Sequence, residues 1–182
     1  LEEVTAFYSD EFSAHSLEGG ALHRENGEYI LYISYHEKSS NRWKIDRIAA
    51  DSIEGLDAEA REEVEIPSKK AHAKDPVIHD GELIVHTASK NFFNHSNLKI
   101  ENLDTEPEAT EIGFGEYTAE GRITGMLDLN SERFCFYDWL PSIIFTGEEK
   151  ARIGRIEDGN IEGLMEGRAT ASEHGTGSLR YV

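Results

Sequence analysis

At 182 residues, with 36 acidic against 18 basic side chains, the chain carries a formal charge of −18 at pH 7. Binding to a nucleic-acid backbone needs a basic stripe that displaces counterions from phosphates, so nucleic acid is excluded as a partner, and the same repulsion argues against anionic membrane surfaces. Apolar runs such as Ile143-Ile144-Phe145 fall far short of the ~20 residues a membrane-spanning helix requires, so no membrane partner is expected.

A hydrophobic share of 38% is enough for a packed core at this length. The acidic residues are spread along the chain and not gathered into a tail, a pattern expected of a carboxylate-coated, halophilic surface. Cys135 is the only cysteine, which excludes an internal disulfide and a thiolate metal site, and its setting among Phe134 and Phe136 reads as a small buried hydrophobe. No secretory leader is visible, so a cytoplasmic location is expected over a secreted one, and an opening on Leu1 suits a processed product or a piece of a longer protein.

Taken in chain order, the first elements are strands. Ala21 to Arg24 and Tyr29 to Tyr35 flank Asn26-Gly27, the strongest hairpin signal in the chain. After a polar loop, Arg42 to Ala50 alternates apolar and charged residues as a half-buried strand does. Ala58 to Val64 has helical composition and is expected to form a surface turn of helix or an acidic loop. A second unit runs through Pro76 to His79, the turn Asp80-Gly81, Glu82 to Ala88 and Asn97 to Glu101. The third runs through Arg122 to Leu127, a turn at Asn130-Ser131, Arg133 to Tyr137 and Ala151 to Ile156, and Gly177 to Val182 reads as the first strand of a fourth.

The first strands start near positions 21, 77, 123 and 179. Meandering antiparallel strands repeating at this interval are the signature of a β-propeller, so the predicted class is all-β, with units at about 16–57, 75–104 and 121–165 and another beginning at 174–182. An irregular β-sandwich or barrel is the competing architecture. Three blades and an edge strand leave a ring open, so the edge is expected to pair with another chain or segment.

Motifs for phosphate-loop, dinucleotide and nucleophile-elbow chemistry are absent from the sequence. The stretch Ser16-Leu17-Glu18-Gly19-Gly20-Ala21 through Asn26-Gly27-Glu28-Tyr29-Ile30-Leu31-Tyr32-Ile33-Ser34 resembles the opening of a blade in five-bladed β-propeller glycosidases, the superfamily of glycoside hydrolase families 32, 43, 68 and 130. Asp51-Ser52-Ile53-Glu54-Gly55-Leu56 is similar to a blade-closing turn there, and His174 to Val182 resembles another propeller segment of the group. Where that pattern has proline after Glu-Gly, this chain has Gly20.

The resemblance implies a carbohydrate partner and an O-glycosyl hydrolase, with a non-catalytic propeller that binds a glycan or a protein as the alternative. Glycoside cleavage needs one carboxylic acid to protonate the leaving oxygen and a second carboxylate to act as base or nucleophile. Glu18 matches the place of the general acid, just before an innermost strand. Asp75, in Asp75-Pro76 ahead of the second innermost strand, and Asp138, at the end of the strand Arg133 to Tyr137, are the other candidate carboxylates. Trp139, in a loop, is the candidate stacking platform, and His23 and Arg122 are candidate sugar-binding groups. No cofactor is expected, although the resemblance leaves room for a calcium ion in the channel; the histidine spacing does not suit zinc.

Overall fold

The computed structural model describes residues 7, 17–90, 95–103, 105–114, 121–139 and 150–168, of which residues 17, 18, 114, 121, 138, 139, 150–152 and 164–168 are described for their backbone only. The described chain is all-β and falls into three four-stranded meanders. The first is β1 (Leu17–Glu25), β2 (Glu28–Glu37), β3 (Arg42–Ala50) and the short β4 (Glu62–Glu63). The second is β5 (His72–His79), β6 (Glu82–Ala88), β7 (Ser96–Glu101) and β8 (Glu108–Phe114). The third is β9 (Gly121–Leu129), β10 (Glu132–Trp139), β11 (Lys150–Glu157) and β12 (Asn160–Arg168).

Local chemistry explains the meanders. Asn26 and Gly27, Asp80 and Gly81, and Asn130 and Ser131 all have positive φ, the backbone that a two-residue turn needs to match the twist of its strands. Asp158-Gly159 makes the same turn between β11 and β12. The expected helical segment reduces to one 3₁₀ turn, Ala58–Ala60, in which the Asp57 carboxylate accepts from the Glu59 amide at 2.9 Å. Arg61 then extends at φ −66°, ψ 147°, and the chain enters β4. β8 and β12 are outer strands with no counterpart among the sequence-based expectations, and the segment 174–182 lies outside the described residues.

The meanders stack face to face as propeller blades do. Ile30, Tyr32 and Ile45 of the first pack on Ala73, Leu83, Val85, Leu98 and Ile100 of the second. Ile84 and Ile112 of the second pack on Ile123, Cys135, Tyr137 and Ile161 of the third. The first and second blades thus each bury a different apolar set on each face, which is why strands such as Glu82–Ala88 read as continuous runs and not as simple alternation. Cys135 is fully buried, and burial pushes its thiol up to about 12, so it serves as core and not as a nucleophile. The blades 2 and 3 are also joined edge to edge, where β12 pairs parallel with β8 through Asn160↔Gly113 and Ile161↔Phe114. No helix among the described residues is long and apolar enough to cross a membrane.

Candidate active site

The three innermost strands, β1, β5 and β9, share an irregularity. In β1 the register slips between Leu17 and Gly19, which leaves Glu18 as the extra residue. In β5 it slips between Lys74 and Val77, so that Asp75 and Pro76 stand against Val85. In β9 the slip leaves Thr124 extra, with Ile123 opposite Tyr137 and Gly125 opposite Phe136. A β-bulge bends the strand, re-aims side chains and frees backbone groups, and bulges recur beside active sites. All three lie toward the strand starts, away from the hairpins.

Asp75 carries the sharpest local signal. Its φ is +52°, immediately before a proline. The other described non-glycine residues with positive φ occupy turns and connecting loops; Asp75 alone sits inside a strand. A left-handed non-glycine residue costs on the order of 1–3 kcal/mol and persists where its surroundings fix it. Here the surroundings are specific. Arg122 Nη1 donates to Asp75 Oδ2 at 3.2 Å, with the two side chains only 9% and 12% exposed, and Lys74 Nζ lies 3.9 Å from the same oxygen. Its amide donates to Ser34 Oγ at 3.4 Å, and the Ser34 hydroxyl in turn donates to the Gly19 carbonyl at 3.2 Å. Ser34 therefore ties the bulge of β1 to the bulge of β5. A β-carbon on Gly19 would stand 3.4 Å from Asp75 Oδ1, which places the backbone beside Glu18 against the Asp75 carboxylate.

A second layer supports this pair. Lys74, His86 and Asn97 lie opposite one another across β5, β6 and β7. Asn97, fully buried, accepts the Ile123 amide at 3.0 Å and so fixes the start of β9 beside Arg122. His86 and His95 stack with ring centroids 5.0 Å apart and share a hydrogen bond of 3.0 Å between Nε2 and Nδ1. Burial, reinforced by the charges of His95, Lys74 and Arg122, pushes His86 down to about 3, so it is neutral near pH 7.

The sequence-based candidates distribute as follows. Glu18 falls within β1, at its bulge, and not just before the strand as expected; its side chain lies outside the described atoms. Asp75 likewise falls inside β5 and not ahead of it. Asp138 stands opposite Arg122 in the β9–β10 register, and Trp139, expected in a loop, is the last residue of β10 and stands opposite Gly121; both side chains lie outside the described atoms. The structure thus brings Asp75 and Arg122 into contact and sets the backbones of Glu18 and Asp138 beside them. His23 goes elsewhere. It is four residues along β1 from Gly19, roughly 13 Å at the rise of a strand, and lines a cleft with Glu25 and Asp80 at the hairpin end.

Sequence reasoning missed Ser34, Lys74 and Asn97. Ser34 left a trace, a small hydroxyl inside the aromatic run Tyr32-Ile33-Ser34-Tyr35. Among the described residues no group of three or more His, Cys, Asp or Glu side chains is arranged to hold a metal ion.

Three four-stranded blades with converging innermost strands define the fold as that of a β-propeller. No family model and no curated protein matches the chain by sequence. Solved structures do match in fold. One is the GH43B protein of the Bacteroides ovatus xyloglucan locus, at 10% identity and a TM-score of 0.51, with 86% of this chain and 29% of that one covered. Another is a GH43 endo-arabinanase from Bacillus licheniformis, at 15% identity and a TM-score of 0.50, with 82% and 59% covered. A third is CoXyl43, a GH43 β-xylosidase/α-arabinofuranosidase from a compost microbial metagenome solved with xylotriose, at 14% identity and a TM-score of 0.51, with 84% and 58% covered. The chain spans less than two thirds of the length of each of these proteins.

Proposed function

We propose that the chain is part of a single β-propeller domain that hydrolyses glycosides at the bulged end of its innermost strands. The observation that carries this reading is Asp75, a carboxylate inside a strand, in a strained backbone, gripped by Arg122 and hydrogen-bonded through Ser34 to the residue after Glu18. Strain at one carboxylate, held by buried partners from two other blades, is what a preorganised site requires and a solvated turn does not.

In this reading Glu18 is the proton donor to the leaving oxygen. Asp75, ion-paired with Arg122, acts as an anion facing the positive charge that develops at the anomeric carbon, and Asp138 is the further carboxylate. The substrates named for the fold neighbours supply the first probes, aryl α-L-arabinofuranosides and aryl β-xylosides. In the intact protein Glu18→Gln is expected to lower kcat by about 100-fold or more while xylotriose binding, measured calorimetrically, is retained. Wild-type turnover that survives in Glu18→Gln would remove its role. Binding without any wild-type turnover would instead favour the non-catalytic glycan-binding propeller.

A further inference from the structure

The two oxygens of the Asp75 carboxylate have different surroundings. Oδ2 receives Arg122 Nη1 at 3.2 Å from the third blade and has Lys74 Nζ at 3.9 Å from its own strand. Oδ1 lies toward the bulge of β1, 3.4 Å from where a β-carbon on Gly19 would stand, beside Glu18. Two cations on one oxygen resist rotation of the carboxylate more than either does alone, because a turn of the group draws Oδ2 away from both. Besides burial and the His95 charge, the charges of Lys74 and Arg122 lower the His86 pKa, so the two cations share one compartment.

Lys74 is itself held. A lysine ammonium on a flexible four-carbon stem leaves a contact of this length unless something fixes it. Here the ammonium lies over the Trp43 ring of the first blade, 5.5 Å from its centre and within reach of a cation–π contact. The Trp43 side chain is buried, and its position is set from two sides. Its backbone amide donates at 3.2 Å to Nδ1 of His72, two residues before Lys74 on β5. A ring nitrogen that accepts an amide carries no proton, so the His72 proton sits on Nε2, which donates to the Lys90 carbonyl at 3.3 Å. The His36 ring centre lies 5.2 Å from that of Trp43, and His36 Nε2 shares a 3.0 Å hydrogen bond with Asn41 Oδ1.

We propose that Lys74 is a positioning residue for Asp75, seated by the Trp43 ring, so that the first blade as well as the third fixes the carboxylate and leaves Oδ1 to face the reacting sugar. The inference rests on the glycoside-hydrolysis reading of the site, with Asp75 as its anion. Trp43 touches neither the carboxylate nor the sugar in this arrangement and acts only through Lys74. Besides Lys74, the charged and titratable groups around Asp75 are Arg122 on β9, His86 on β6, Glu18 on β1 and Asp138 on β10 opposite Arg122.

Carbon-13 NMR titration of the Asp75 carboxyl in the intact protein tests the proposal, with the resonance assigned through Asp75→Asn. Loss of a nearby cation favours the protonated acid, so Lys74→Met is expected to raise the Asp75 midpoint by about 1 pH unit and Lys74→Arg to restore most of that shift. Trp43→Leu is expected to raise the midpoint by less, and to add nothing once Lys74 is already Met. With aryl α-L-arabinofuranosides or aryl β-xylosides, kcat is expected to fall about tenfold in Lys74→Met at unchanged KM and to recover in Lys74→Arg. Lys74→Gln gives the same reading should the Met variant fail to fold. A midpoint unmoved by loss of Lys74, a Trp43→Leu effect that persists in the double variant, or an unchanged kcat in an active enzyme would overturn the positioning role. Wild-type protein that turns over neither glycoside, with the midpoints shifted as expected, would overturn hydrolysis and leave Lys74 as the holder of Asp75.

Discussion

The two ends of the blades are made from the same strands yet use charge differently. At the hairpin end Arg133 reaches Glu82 at 2.9 Å, Asp128 at 3.1 Å and Asp80 at 3.6 Å, and His79 meets Asp128 at 3.0 Å. Arg155 is likewise surrounded by Glu132, Glu157 and Glu162. These groups are mostly open to solvent, where screening and side-chain entropy leave an ion pair worth at most about 1 kcal/mol. At the bulged end the Asp75–Arg122 pair is almost wholly withdrawn from water. There the desolvation of each charge is offset only while its partner is present, so the pair contributes little net stability intact and costs much when broken. Charge is exposed and individually weak at one end, while at the other it includes a buried pair whose loss is consequential.

This contrast can be tested in steps of decreasing size. Arg122→Met removes the guanidinium that pairs with the Asp75 carboxylate and is expected to cost roughly 3 kcal/mol in denaturant unfolding, together with about a 100-fold loss of any glycosidase activity. A Met variant as stable as wild type would show that the buried pair is dispensable. The second step is acid. His86 has a folded pKa of about 3 against an ordinary 6.5, so between those values the unfolded chain binds the extra proton and stability falls as pH drops from about 6.5 toward 3. His72, also lowered by burial, acts in the same sense. Urea midpoints at pH 7 and pH 4 are expected to differ by less in His86→Gln than in wild type, and an unchanged difference would remove His86 as a source of the slope. The smallest effect is expected at the hairpins: Arg133→Gln should cost under about 1 kcal/mol, and that cost should disappear in 1 M salt.

Much of the fold was legible in the sequence because hairpin turns are local. Asn26-Gly27 and Asp80-Gly81 dictate left-handed backbone over two residues, and the strands on either side follow. Asp158-Gly159 carries the same information for β12 and went unread because the flanking residues, Asn160 to Gly163, look polar. The outer strands β8 and β12 were harder for a physical reason, since a strand at a blade edge buries little and its composition drifts toward that of a loop. The candidate site was legible only in part. Asp75 and Arg122 are 47 residues apart, and their contact arises from blade stacking, which no local pattern encodes. Asp75-Pro76 reads locally as a turn, and the bulge that replaces the turn depends on Ser34 and Arg122 arriving from neighbouring blades. His23 was placed by its proximity to an innermost strand, but proximity along a strand does not say which end of it a side chain serves.

The parallel seam between β8 and β12 divides the molecule into unequal partners. Backbone hydrogen bonding continues through the seam, and the Gly113 amide also donates to the Gly159 carbonyl at 2.9 Å. A β-carbon on Gly113 would crowd Asn160 Oδ1, so a larger residue there would require the Asn160 side chain to shift. Blades 2 and 3 therefore form one continuous hydrogen-bonded unit, whereas blade 1 is attached to blade 2 by packed side chains and a few side-chain hydrogen bonds. The two joints thus differ in kind: blades 2 and 3 share a backbone ladder, whereas blades 1 and 2 share the larger buried apolar cluster, and it is this packed joint, crossed by the Ser34–Asp75 hydrogen bond, that shapes the candidate site.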